Sequence, residues 1–352
     1  MAASFFKFFG VVQGGLGVIQ FGKENFAKPN AGQSTIRIAV GLDVDGGLSN
    51  AGGKLPDVRL FNEAGDFLGI EVDPGTVESG GFADINVTHA GDSTQQATYA
   101  LFSANDDAIC IAYAAITWPG GDTYSWIGDW GHKCGGSWYY SNYFISGNPD
   151  KPDCLWIDKN NDSPQTGFQV HWPEFSIEDS GYTEESDDKD EKIDYLCNAG
   201  PPFKMHVHPD EDPNSITLWS LSSQRSAATE TGTSYGPSKH PKSARFQHDR
   251  HHPRSNGTDH SGLHFKRLVM DDNPKHTGRD LCENPMSLGP DYVSVYDWSF
   301  CRMSDKTLWP VCRSDVTDDC FNTDLKQLIV GGVAARGSPY ESVLDWTSGH
   351  KA

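Results

Sequence analysis

Between Ser34 and Trp130 the chain repeats one device: a short run of alternating apolar and polar residues, then a turn. Ile36, Ile38, Val40 and Leu42 alternate with Arg37, Ala39, Gly41 and Asp43. Strand side chains point to opposite faces with period two, so this run is a strand with one buried face. Residues 58–72 read as a hairpin, with "VRLFN" and "FLGIEV" joined through Glu63-Ala64-Gly65-Asp66. "FADINVT" (82–88), "QATYALFSA" (96–104), "AICIAYAAITW" (108–118) and "TYSWIGDW" (123–130) continue the series. Short strands at regular spacing with turn residues between them predict a β-sandwich. The 37 Gly and 20 Pro supply the turns.

This pattern predicts a mainly β protein in four parts. Residues 1–33 are a Phe/Gly-rich N-terminal segment. Residues 34–222 form a jelly-roll-like β-sandwich, closed by the aromatic-rich stretch after Gly131 and by a strand pair within 203–221. Residues 223–262 are polar, nearly devoid of aliphatics and expected to be disordered. Residues 263–352 form a small Cys-rich C-terminal region. Within it "TDLKQLIVGGVAA" (323–335) is the best helix candidate, with Gly331-Gly332 ending it.

Eight cysteines are present: Cys110, Cys134, Cys154, Cys197, Cys282, Cys301, Cys312 and Cys320. The number is even and no tight metal-ligand spacing occurs, which favours disulfides and an oxidising compartment. Proximity suggests Cys110–Cys134 and Cys154–Cys197, with the last four pairing among themselves. Four cysteines admit more than one connectivity, so the pairing stays open, and eight reduced thiols are the alternative.

The formal charge of −20 repels phosphate backbones, which argues against a nucleic-acid partner. Charge is uneven, with an acidic run at 178–194 and a basic, His-rich stretch at 239–267. The N-terminus admits three readings: an atypical signal, a first strand and loop of the fold, or a Phe/Gly-rich piece lying in a membrane interface. Its glycines disfavour a spanning helix.

Four constellations can carry function. Asp158, Asn160 and Asp162 match the opening of a calcium loop, but Ser163 and Gln169 stand where its Gly and Glu belong. An Asn/Asp turn explains the same residues. His206 and His208, at strand spacing and near Asp210 and Glu211, offer ligands for zinc or another transition metal, or form a solvent-facing pair. Trp126, Trp130, Trp138, Tyr139 and Tyr140 are rings suited to sugars or protein hot spots, or else core residues with one or two exposed. Asp129 and Glu174 lie among aromatics and are the candidates for paired carboxylates. No nucleophile elbow, P-loop or papain-like surround is present. Sequons at Asn86, Asn161 and Asn256 permit glycosylation if the chain is exported.

"AICIAYAAITWPGGDTYSWIGDWGHKCGGSWYYSN" (108–142) and "FCRMSDKTLWPVCRSDVTDDCF" (300–321) resemble segments of uncharacterised Cys-containing proteins of filamentous fungi. The resemblance implies a fungal protein and transfers no site. The expectation is a non-enzymatic, disulfide-stabilised β protein at or outside the fungal cell. It would bind a glycan or a protein, or assemble with copies of itself as a homo-oligomer. One alternative is a metal-dependent hydrolase built on the His-x-His pair. Another is a structural protein that inserts its N-terminal segment into a membrane or partner. Reduced thiols would place the chain in the cytoplasm.

Overall fold

The computed structural model describes residues 7–12, 15–41, 51–91, 94–146, 151–160, 163–176, 189–219, 266–334 and 339–347. The fold is mainly β and built around a sandwich. One sheet runs in the order Trp138–Tyr140, Asp153–Ile157, Ile109–Thr117, Gln33–Val40, Phe82–Thr88, and Thr123–Ile127 also pairs with Ile109–Thr117. The facing sheet runs Phe203–Val207, Gln165–His171, Tyr99–Ser103, Asp57–Phe61, Phe67–Glu71. Every pairing in both sheets is antiparallel. The chain crosses repeatedly between the sheets, as a jelly-roll-like sandwich requires. Ile36, Ile38 and Val40 share one buried cluster with Val58, Leu60, Phe102 and Phe168 of the facing sheet, but Thr35, Arg37 and Ala39 are buried as well, so both faces of this strand are covered where one was expected.

Strand Ile109–Thr117 is buried at all nine positions. Its two faces have different covers, which is why its sequence is continuously apolar rather than alternating. Ile109, Ile111 and Ile116 belong to the sandwich core. Cys110 and Ala112 belong to a second cluster with Trp138, Tyr139, Tyr140, Val269, Leu281, Tyr292 and Trp346. The C-terminal region is therefore seated on the outer face of the first sheet. It also grips that sheet's edge, where Trp138 N donates to Met286 O and Leu288 N donates to Trp138 O.

The C-terminal region has its own five-stranded sheet, ordered Thr307–Pro310, Ser299–Arg302, Asp291–Ser294, Arg267–Asp271, Ser342–Asp345. A three-stranded sheet (Cys320–Asn322, Gln327–Val330, Val333–Ala334) leans on it through the stacked rings of Phe300 and Phe321, 4.0 Å apart. Three hairpin loops here, at 295–298, 303–306 and 323–326, share one geometry. Each ends on a residue with positive φ: Trp298 at 56°, Lys306 at 56° and Lys326 at 55°.

Several expectations are corrected. The described residues 323–334 hold no helix; Gln327–Val330 and Val333–Ala334 are strands around Gly331 and Gly332. Both glycines have positive φ (60° and 73°), the signature of a tight hairpin turn rather than a helix end. Among the described residues of 203–221 one strand forms, Phe203–Val207, where a strand pair was expected. Thr217 N donates to the Gln169 side chain instead of to a strand partner. Part of the acidic run is a helix, Lys189–Asn198, with Asp190 and Glu191 in the first turn, where the helix dipole favours them. The expected disordered segment 223–262 lies outside the described residues.

The four disulfides are Cys110–Cys154, Cys134–Cys197, Cys282–Cys301 and Cys312–Cys320. The pairing of the last four among themselves matches expectation; the first four pair differently. Sheet order explains this. Cys110 and Cys154 lie on hydrogen-bonded neighbouring strands. Cys134 follows helix Asp129–Lys133 and meets Cys197 on helix Lys189–Asn198.

At the N-terminus, Lys7–Val12 and Gly15–Gln20 pair as an antiparallel hairpin. No helix among the described residues is long and apolar enough to cross a membrane.

Candidate functional site

The aromatic set expected to offer a binding surface lies inside. Trp126, Trp130, Trp138, Tyr139 and Tyr140 are all buried. Trp126 stacks on Phe168 at 4.7 Å within the sandwich, and Trp130 meets Phe175 edge-on at 5.4 Å. Trp138 stacks on His132, Tyr140 stacks on His276, and the Tyr139 hydroxyl donates to Pro290 O. These last three rings hold the C-terminal region to the sheet.

The two metal sets fare differently from each other. Asp158 is buried, while Asn160 is exposed and donates to Asp106 at 2.7 Å. Asp162 lies outside the described residues. His206 Nδ1 is 3.0 Å from Asp210 and His208 Nε2 is 3.2 Å from Glu211, so each imidazole has its own carboxylate. Among the described residues no group of three or more His, Cys, Asp or Glu is arranged to hold a metal. Asp129 accepts from Asp153 N, whereas Glu174 belongs to a cluster described below. Asn86 is exposed on strand Phe82–Thr88; Asn161 and Asn256 lie outside the described residues.

The surface offers a different aromatic site, on the hairpin loop 295–298. Tyr296 is 58% exposed and Trp298 43%. A left-handed backbone costs a side chain with a Cβ about 1–2 kcal/mol, which is why Gly or Asn usually takes such positions. At Trp298 burial does not offset that cost in full. At the equivalent position of the next loop, the Lys306 ammonium is held by Leu281 O and Ser287 O. Trp298 instead carries the Arg313 guanidinium 5.5 Å from its ring centroid. Asp315 lies 3.6 Å from that guanidinium, and Asp297 accepts from the Ser299 hydroxyl. The loop is firmly based. Its strands pair from Tyr292↔Cys301 to Ser294↔Ser299, Val311 N donates to Trp298 O, and Cys301 is bridged to Cys282. The loop thus presents two exposed rings, with the Arg313 guanidinium against one of them and Asp315 beside that cation.

A titratable cluster occupies one end of the second sheet. His171 ends strand Gln165–His171 opposite Tyr99, whose ring stacks on it at 4.2 Å. His171 Nε2 is 2.9 Å from Glu63, on the turn after Asp57–Phe61. Its Nδ1 is 3.5 Å from Glu174, on the 3-10 turn Trp172–Phe175. The Tyr195 hydroxyl donates to Glu174 at 3.0 Å, and Trp219 stacks on Tyr195. Burial opposes the charged imidazole, but Glu174 and Glu63 outweigh it and raise the His171 pKa. Burial likewise pushes both carboxyls up, and His171 overrides it and lowers them. His171 thus lies between two carboxylates, and the three shifts all favour the charged forms. Each charge is already paired within the cluster, so its first role is to tie two turns and a helix to the sheet end.

Sequence reasoning missed both places. The run Tyr296-Asp297-Trp298 between "DYVS" and "SFCR" had the spacing of a hairpin, yet nothing in it separates an exposed turn Trp from a core one. Glu174 is a candidate from the sequence and His171 stands three residues before it, but Glu63 is 108 residues from His171, so the set could not be read from the sequence. In comparison with known proteins, the chain matches no family model and no curated protein.

Proposed function

We propose that this chain is a non-enzymatic binding protein that works outside the cell and engages a glycan through Tyr296, Trp298 and Arg313. One observation carries the reading: a large aromatic is kept at a left-handed backbone position while its ring stays half exposed. The left-handed turn comes with this hairpin type, since Lys306 and Lys326 share it; what sets this loop apart is that the position holds a large aromatic ring and leaves it in solvent. The ring faces suit the C–H faces of a sugar, and Arg313 and Asp297 supply polar partners for hydroxyls. A stable protein partner usually takes about 800 Å² of surface. Two rings on a hairpin tip are a small anchor for that and sufficient for a sugar chain. The four disulfides support work in an oxidising compartment.

The test is co-sedimentation with insoluble cell-wall polysaccharides, together with a glycan array, for the wild type and the Tyr296→Ala/Trp298→Ala variant. Retention by the wild type and at least a tenfold loss in the variant are expected. Equal retention of both proteins would remove the site from the reading. No retention with concentration-dependent oligomers in analytical ultracentrifugation would replace glycan binding by self-assembly.

A further inference from the structure

Strand Phe82–Thr88 forms the edge of the first sheet, paired on one side only with Gln33–Val40. Its residues alternate cleanly: Ile85 and Val87 are buried, while Phe82, Asp84, Asn86 and Thr88 are exposed. The exposed residues face a ladder of partners on the neighbouring strand. Arg37 donates two bonds to Asp84 at 2.7 and 2.8 Å and lies over the Phe82 ring. The Thr35 hydroxyl donates to Asn86 Oδ1 at 2.8 Å, and Gln33 donates to Thr88 Oγ1 at 3.0 Å.

Asn86 is out of place in that ladder by propensity. Asn is depleted in strands, and an exposed mid-strand position asks for Thr, Val or a charged residue. The Thr35 bond takes its amide oxygen and leaves Nδ2 with no partner among the described residues. Asn86 and Thr88 form a sequon with Thr at its third position, and both side chains are on the solvent side. Phe67–Glu71 of the facing sheet lies against the end of this strand, where Ala90 N donates to Leu68 O, but the outward face at Asn86 is open to solvent and has room for a bulky polar group.

We infer that Asn86 carries an N-linked glycan on the outward face of this strand. The inference rests on the reading that the chain is exported. In the step, Asn86 Nδ2 attacks the anomeric carbon of a lipid diphosphate-linked oligosaccharide. The N–C bond forms, the bond from that carbon to the diphosphate oxygen breaks, the lipid diphosphate leaves, and one amide proton passes to base. The fold accommodates the product because the modified nitrogen lies on an exposed side chain of a regular strand.

The experiment expresses the full chain in a eukaryotic secretory host, once as it stands and once behind a strong secretory leader, followed by peptide mapping. Expected is a glycopeptide at 82–88 in which enzymatic release of the glycan converts Asn86 to Asp. Thr88→Ala should abolish it and Thr88→Ser should retain part of it. Mapping separates this position from Asn161 and Asn256. A leader-exported, folded chain with unmodified Asn86 would overturn the inference. Failure of the chain to leave the cell without the leader counts against the export reading alone, since the leader form still tests Asn86.

Discussion

At the scale of single residues, two side chains separate stability from use. Trp298 holds its left-handed φ with a half-exposed ring. Replacing it by Asn, which tolerates this conformation, relieves about 1 kcal/mol of backbone strain. The change also removes the Arg313 contact, worth about 0.5–1 kcal/mol. The two effects offset, so Trp298→Asn should unfold in urea within about 0.5 kcal/mol of the wild type while losing glycan retention. His171 behaves in the opposite way, since its interactions are internal. Its pKa is raised above the ordinary 6.5, so its ion pairs are fully present below that pH and fade as pH rises through the folded value. Glu63 and Glu174 are lowered from 4.5, so their share is lost only as pH falls through their folded values. Glu63 is half exposed and screened by solvent, which leaves Glu174 the larger contribution. Urea unfolding should find His171→Gln about 1–2 kcal/mol less stable than the wild type near pH 6. The gap should narrow by pH 9; a gap independent of pH would show that packing, not charge, sets it.

At the scale of elements, the cross-links are graded by the loops they close. Cys134–Cys197 spans 63 residues and ties two helices that no strand ladder connects. Cys312–Cys320 spans 8 residues within a segment already held by the Cys312 N to Phe321 O bond. Chain entropy assigns about 4 kcal/mol to the first and about 2.5 kcal/mol to the second. The Cys134→Ala/Cys197→Ala pair should therefore lose more stability in urea than Cys312→Ala/Cys320→Ala. The reverse order would mean that strain or residual structure dominates loop closure. The short helix Gly278–Glu283 combines its cross-link, Cys282–Cys301, with polar ends: Thr277 accepts from Asp280 N at its start, and Lys306 meets Leu281 O near its close.

At the scale of the molecule, the C-terminal region and the sandwich share a buried interface rather than a linker. Its centre is polar. Asp271 is fully buried, 2.6 Å from His276 Nδ1 and 3.0 Å from the Tyr292 hydroxyl, and Tyr140 of the first sheet stacks on that His. Burial raises the Asp271 pKa, but His276 outweighs it and keeps the carboxyl below its ordinary value. Removing one partner of such a pair costs about 3–5 kcal/mol. Calorimetry should show one cooperative transition for the sandwich and the C-terminal region. Asp271→Asn should lower that transition as a whole; two separated transitions would show independent folding units.

The sequence by itself determined the β class and the sandwich strands and favoured disulfides over reduced thiols. These follow from local quantities: period-two alternation at Ile36 to Val40, turn residues at 63–66, and an even cysteine count without ligand spacing. Tertiary structure alone decided which cysteines meet, because partnership follows sheet order and Cys110 neighbours Cys154 only once Ile109–Thr117 pairs with Asp153–Ile157. It decided that residues 323–334 form a hairpin, because Gln327–Val330 finds strand partners on both sides, Cys320–Asn322 and Val333–Ala334. It also decided which aromatics face water. Trp138 and Trp298 are alike in a sequence, and only the seating of the C-terminal region on the first sheet buries one and leaves the other half exposed.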